Sequence, residues 1–154
     1  MRKSDREIKE RSEIDSVIRR SQVCRLGLSD DGQPYVVPLA FGYDGRAVYF
    51  HCAREGRKLD ILAKNKSVCL EFDIVEGMVE DIQACGWGIR YQSVIAFGSA
   101  KVIEDINEKR EALAVLMEHY SNRSFSFPDS KLAITSVIKV EISGITGKQS
   151  KHSL

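Results

Sequence analysis

Residues 23–51, which decide the fold, read VCRLGLSDDGQPYVVPLAFGYDGRAVYFH. Apolar runs at 23–28, 35–41 and 47–51 are separated by turns at residues 30–32 and 44–45, each with aspartate followed by glycine. Aspartate–glycine between strand-like runs is typical of tight hairpins. The segment therefore predicts three successive antiparallel strands, with Pro38, which lacks an N–H, at an unpaired edge or a bulge.

Three further strands are predicted over residues 67–72, 93–103 and 134–142, with a bend or bulge at Gly98. Helices are predicted from Ser12, as a cap, and from Asp105, which forms a capping-box pattern with Glu108. Residues 73–90 have little periodicity and predict a long loop, a feature often tied to function. These elements predict a mainly β fold with peripheral helices, a small antiparallel barrel in one domain over residues 1–154, with a polar tail from about residue 148.

Bulk properties exclude several classes. The 154 residues carry a formal net charge of +1, which argues against a dedicated nucleic-acid binder. No apolar run reaches the ~18 residues that a membrane span needs. The charged N-terminus lacks the apolar core of a signal peptide, so we expect a cytoplasmic protein without a membrane segment.

The four cysteines, Cys24, Cys52, Cys69 and Cys85, have no C-x-x-C spacing. In a cytoplasmic chain they are expected to be reduced structural thiols. A zinc site that uses Cys85 and a histidine has no supporting spacing, so no metal is predicted.

The strand over residues 47–51 ends at His51, and after a short loop Arg57 and Lys58 open a helix predicted over residues 58–64. Two cations beside the free backbone N–H groups of a helix start suit a phosphate dianion. The pattern therefore suggests a bound phosphorylated cofactor. A solvated helix start is the alternative.

Three motifs in this order carry a family resemblance: DGQPYVVPL at residues 31–39, YFH at 49–51 with GRK at 56–58, and CGW at 85–87 followed by YQSV at 91–94. They resemble the nitroimidazole-resistance (Nim) proteins of the pyridoxamine 5′-phosphate oxidase-like, FMN-binding split-barrel superfamily. The resemblance extends from Arg2 to about Lys148. It implies a six-stranded antiparallel split β-barrel that binds FMN.

The resemblance assigns two parts of the cofactor to two segments. Arg57 and Lys58 match the Ser-Arg-Lys motif that holds the FMN phosphate in the oxidases, with Gly56 in place of the serine. The matching strand that supplies backbone contacts to the flavin ring contains the four residues Val36, Val37, Pro38 and Leu39.

Other site residues follow from the family pattern. Ser93 falls where the oxidases carry a flavin-contacting glutamine, and Gln92 is its neighbour. Members of the family are homodimers with FMN at the interface, so Trp87 and Tyr91 are expected to reach the partner's flavin; a hydrophobic staple between loop and barrel is the alternative for Trp87. His51 is expected near the open face of the flavin as the catalytic candidate, whereas alone it would be an ordinary strand-end histidine.

The implied function is an FMN-dependent reductase that passes electrons from NAD(P)H or another donor to a small planar acceptor such as a nitroimidazole-like compound. A G-x-G-x-x-G fingerprint is missing, so a nicotinamide would bind transiently over the flavin. The alternatives are a non-catalytic flavin-binding or redox-sensing module, or a haem- or deazaflavin-binding relative on the same fold. Oxidation of pyridoxamine phosphate is not expected, because the polar tail does not resemble the oxidases' C-terminus.

Overall fold

The computed structural model describes residues 4–150, where six long strands and two two-residue strands form one antiparallel sheet. The strands are β1 Glu7–Ile8, β2 Cys24–Asp30, β3 Gln33–Leu39, β4 Gly42–Tyr43, β5 Ala47–Cys52, β6 Ser67–Val79, β7 Gly88–Ile103 and β8 Ser136–Gln149. The α-helices are α1 Arg11–Arg20, α2 Arg57–Lys64, α3 Ile106–Tyr120 and α4 Asp129–Leu132, with 3₁₀ turns at Ser4–Arg6 and Ala84–Gly86.

The sheet curls around one core. Its strand order is β3-β2-β6-β7-β8-β5-β4, and β1 pairs with β8. Val37 near one end of this path and Tyr43 at the other belong to the same hydrophobic cluster, so the two ends of the sheet face a common interior. This is the predicted mainly β split barrel, and the six predicted strands are its six long strands.

The helices pack against the barrel, each through an apolar face. Ile14, Val17 and Ile18 are the buried residues of α1, which packs against β6 and β7. Ile61 and Leu62 are buried on α2, which packs against β2. These contacts fix the start of α2 beside the β2–β3 hairpin.

The third helix packs against β4, β5 and β8. Its predicted start is confirmed, since the Asp105 carboxylate accepts hydrogen bonds from the N–H groups of Asn107 and Glu108. Gly42 permits the close approach of β4, because a Cβ there would lie 2.5 Å from the Leu116 nitrogen. No helix within residues 4–150 is long and apolar enough to cross a membrane.

The prediction of a long loop over residues 73–90 is wrong. Strand β6 continues to Val79 and β7 already begins at Gly88, so most of the segment is a hairpin arm. Side chains on both faces of this arm are at least partly exposed, for example Val75 and Met78. Because neither face is buried in the core, the arm lacks the alternation of apolar and polar residues by which a strand is recognised.

Smaller boundary predictions also change. The last strand begins at Ser136 and continues to Gln149, so the start of the predicted polar tail is paired with β7 and β1; residues 151–154 lie outside the described part. Helix α1 begins at Arg11, with Glu10 rather than Ser12 at the cap position and no side-chain cap bond. Helix α2 begins at Arg57, one residue earlier than predicted. The bulge predicted at Gly98 is confirmed by a register shift against β8.

Candidate functional site

The free edge of β3 is defined by the turn that precedes it. Asp31 and Gly32 have φ values of 50° and 90°, the positive pair that marks a type I′ hairpin. Such a turn joins the flanking residues Asp30 and Gln33 by a hydrogen bond, and the bonded and non-bonded pairs then alternate along the ladder.

Alternation from that turn determines which backbone groups of β3 face away from β2. Pro34, Val36 and Pro38 occupy the non-bonded pairs, so the two prolines cost the β2–β3 ladder no hydrogen bond. Among the described residues β3 ends the path of paired strands, and its outer side carries three carbonyls and one N–H, that of Val36. The proposed edge position of Pro38 is therefore confirmed, and the edge presents one donor between acceptors.

The start of α2 forms the second part of the site. Its cap residue, Gly56, has φ 143°, a conformation that L side chains rarely adopt, and a Cβ there would meet nothing within 4 Å. Glycine in place of the family's serine thus fits the backbone. Helix geometry leaves the N–H groups of Arg57 and Lys58 without intrahelical acceptors.

The side chains of the two cations point to different neighbours. The Arg57 guanidinium lies over the ring of Tyr35, with 4.6 Å between its Cζ and the ring centroid. Lys58 lies near Cys52, where burial raises the pKa of the thiol and the lysine charge opposes that rise. Because Tyr35 precedes Val36, the cationic helix start lies beside the free edge of β3.

A third feature is a shallow cavity of about 880 Å³ on the outer face of the sheet. Outward-facing residues of β2, β3, β6 and β7 line it: Arg25, Gly27, Val36, Cys69, Glu71, Asp73, Val75, Ile89, Tyr91 and Ser93. The structure thus brings together Val36, Tyr91 and Ser93, three of the residues predicted to contact the cofactor. Val36 is 60% exposed, so this face is apolar as well as accessible.

A charged cluster on this face was not predicted. Arg25 Nη1 lies 2.8 Å from Glu71 Oε2 and also contacts Asp73. The hydrogen bonds that Arg25 donates to Asp73 and then to Glu71 raise the pKa of Arg25, so its charge is secure. Polar residues alternate along β2 and β6, which indicates that one face of these strands is exposed. Which of these residues meet depends on the register between the two strands, and the sequence does not give that register.

Other predicted residues lie apart from this cavity. Gln92 accepts a hydrogen bond of 2.6 Å from Arg20, which places its side chain on the α1 side of β7. Val37 and Leu39 pack against the core and their backbone groups pair with β2, so neither residue presents a group at the free edge. Trp87 is 51% exposed at the hairpin tip, where its Nε1–H donates to the Asp81 carbonyl over 2.7 Å.

The catalytic candidate His51 is exposed on β5, opposite Val137 of β8. No residue in the described range 4–150 forms a hydrogen bond with its imidazole ring. The ring is therefore accessible to a bound molecule.

Residues 10–149 match the family model described as pyridoxamine 5′-phosphate oxidase. The chain belongs to that family. A solved structure from Bacteroides thetaiotaomicron, provisionally described as a 5-nitroimidazole antibiotic resistance protein, is 36% identical with a TM-score of 0.83 and covers 93% of this chain and 86% of its own. The predicted Nim-like resemblance is therefore confirmed.

Two more distant structures share the fold, and their descriptions refer to flavin and haem groups. The flavocytochrome Anf3 from Azotobacter vinelandii is 21% identical with a TM-score of 0.85, over 99% of this chain and 73% of that one. An FAD and heme binding protein from Mycobacterium smegmatis is also 21% identical, with a TM-score of 0.87, over 96% and 75% of the two chains. At this identity the pyridoxamine 5′-phosphate oxidase-like chain shares their fold alone. No curated protein sequence matches it.

Proposed function

We propose that this chain binds FMN and acts, as a homodimer, as an FMN-dependent reductase of small planar acceptors. The observation that carries the proposal is the contact between Arg57 and Tyr35, which brings the cationic helix start next to the free edge of β3. The 36% identity to the Bacteroides protein supports a nitroimidazole-like acceptor.

The helix start suits the terminal phosphate of FMN. The N–H groups of Arg57 and Lys58 and the two side-chain charges match a dianion, and the open space at Gly56 leaves room for it. A pyrophosphate, as in FAD, spreads its charge over two groups and would also need a place for adenine, which the motifs do not supply. The donor set therefore favours FMN over FAD.

The edge of β3 suits the polar rim of a flavin ring. That rim places an N–H donor beside carbonyl acceptors, and on the edge the Val36 N–H can donate to a rim carbonyl while the Val36 carbonyl accepts from the rim N–H. The apolar side chain of Val36 is available to pack on the ring.

The outer face of the sheet is proposed as the surface that a second copy covers. Val36, Val75, Ile89 and Phe97 are each about half exposed or more on it, which is unusual for apolar side chains clustered on one face. A homodimer buries them and places the arm with Trp87 and Tyr91 toward the partner's flavin.

The bound flavin would supply hydride and electron transfer between donor and acceptor. The residues of the chain would bind the flavin and the acceptor, orient them and shield them from water. His51 would donate a proton to the reduced acceptor or hold its anionic group, since an imidazole changes charge near neutral pH. The apolar outer face would keep water from the site, and a nicotinamide donor would bind transiently.

The test begins with the flavin released by heat from the purified protein and identified by chromatography. FMN at about one per chain is expected; FAD, haem or no cofactor after FMN supplementation contradicts the assignment. NADH or NADPH is then added under anaerobic conditions, followed by a nitroimidazole. Bleaching of the visible flavin band and its recovery support the reductase. A flavin that neither donor reduces would instead support the flavin-binding or redox-sensing module.

A further inference from the structure

We infer that Asp30 sets the affinity of the phosphate seat at the start of α2, because its carboxylate offsets the charge of Arg57 that the flavin phosphate would use. The inference rests on the FMN binding proposed above. Asp30 is neither one of the two cations at the helix start nor part of the strand, residues 36–39, that is expected to contact the flavin ring.

Asp30 is the last residue of β2, immediately before the Asp31–Gly32 turn. Its Oδ2 lies 4.0 Å from Arg57 Nη2 and its Oδ1 lies 3.6 Å from Lys64 Nζ. Arg57 and Lys64 are seven residues apart, two turns of helix, so they share one face of α2. That face is turned toward the β2–β3 hairpin.

The distances show that Asp30 contributes charge rather than orientation. Both separations are longer than a hydrogen bond, so the carboxylate does not fix the position of the guanidinium. The ring of Tyr35, 4.6 Å from Arg57 Cζ, does that. Removing the carboxylate should therefore leave Arg57 in place and expose its full charge to a phosphate.

The charges around the start of α2 nearly cancel, so the loss of one carboxylate changes their sum substantially. Arg57, Lys58 and Lys64 are opposed by Asp30 and by Asp60 in the first turn of α2. Without Asp30 the net positive charge of this group doubles. The Asp30 side chain is 28% exposed, so solvent screens it less than a fully exposed carboxylate.

The experiment titrates the full-length apoprotein with FMN and with riboflavin, followed by flavin fluorescence. Asp30→Asn should tighten FMN binding about two- to fivefold, the change in affinity expected when a partly exposed ion pair that competes with the phosphate is removed. Riboflavin lacks the phosphate, so its affinity should not change. Asp31→Asn is the matched control, since it removes the same charge one residue away and asparagine accepts the φ of 50° at that position. Its FMN affinity should equal that of the parent.

Asp30→Ser provides a second variant without the carboxylate and should also tighten FMN binding. Unchanged or weaker FMN binding in both variants of Asp30 overturns the inference and leaves the proposed function standing. An equal gain in Asp31→Asn reduces the effect to overall charge and also overturns it. A parent protein that fails to bind FMN removes the proposed function and this inference together.

Discussion

The Arg57 guanidinium lies over the ring of Tyr35, with its Cζ 4.6 Å from the ring centroid, which joins the first turn of α2 to the middle of β3. Stacking of a cation on an aromatic face is worth about 0.5–1 kcal/mol at an exposed site. The Asp30 carboxylate lies 4.0 Å from Arg57 Nη2, beyond hydrogen-bond distance, so the guanidinium N–H groups are available for a phosphate. The contact therefore positions the Arg57 guanidinium and leaves its charge available for the phosphate of the proposed cofactor.

Lys58→Ala should weaken FMN binding about ten- to over a hundredfold, because a charge-assisted contact to phosphate contributes about 1.5–3 kcal/mol. Fluorescence titration of the apoprotein measures it, and riboflavin binding and the melting temperature should be unchanged. Lys66→Ala removes an exposed lysine near the end of the α2 segment and serves as the control. Equal FMN affinity in parent and Lys58→Ala would move the phosphate site elsewhere.

Val36→Pro removes the one N–H that the outer edge of β3 presents, while the ladder to β2 keeps its hydrogen bonds. The loss of one neutral hydrogen bond should weaken both FMN and riboflavin about two- to tenfold. Val36→Ala retains the N–H and separates the effect of the side chain. If Val36→Pro binds both flavins no worse than Val36→Ala, the edge does not contact the ring.

His51→Ala should retain FMN but lower the turnover of a nitroimidazole-like acceptor. A general acid would lose about a hundredfold or more, and an anion-positioning contact would lose less. His51→Gln keeps a hydrogen-bond donor without the titration and distinguishes the two. Steady-state rates are compared after flavin occupancy is matched. Equal rates in parent and alanine variant would make His51 an ordinary strand-end residue.

Phe97→Glu should convert the proposed dimer into a monomer, because it introduces a charge at an apolar position that is 56% exposed beside the outer-face cavity. Sedimentation at micromolar concentration measures the change. Ile134→Glu is the control, since Ile134 is also exposed but lies before β8, away from this face. A parent that is a stable flavin-loaded monomer would refute the dimer.

Much of the barrel was predictable because the sequence features that specify it act locally. The aspartate–glycine turns, the Asp105 cap and the alternation of apolar residues in β2 and β5 each act within a few neighbouring positions. The extra length of β6 and β7 was not predictable in this way. Strands outside the core have no buried face, so their pairing leaves no alternating pattern in the chain.

The sequence by itself determined the six long strands, the cationic helix start and the prolines of the β3 edge, since each depends on backbone chemistry at adjacent residues. Only the tertiary structure brought Asp30, Tyr35 and Arg57 together, and Arg25 with Glu71 and Asp73. Those groupings join segments far apart in the chain. Their register and helix placement are decided by the packing of one shared core, which no local pattern encodes.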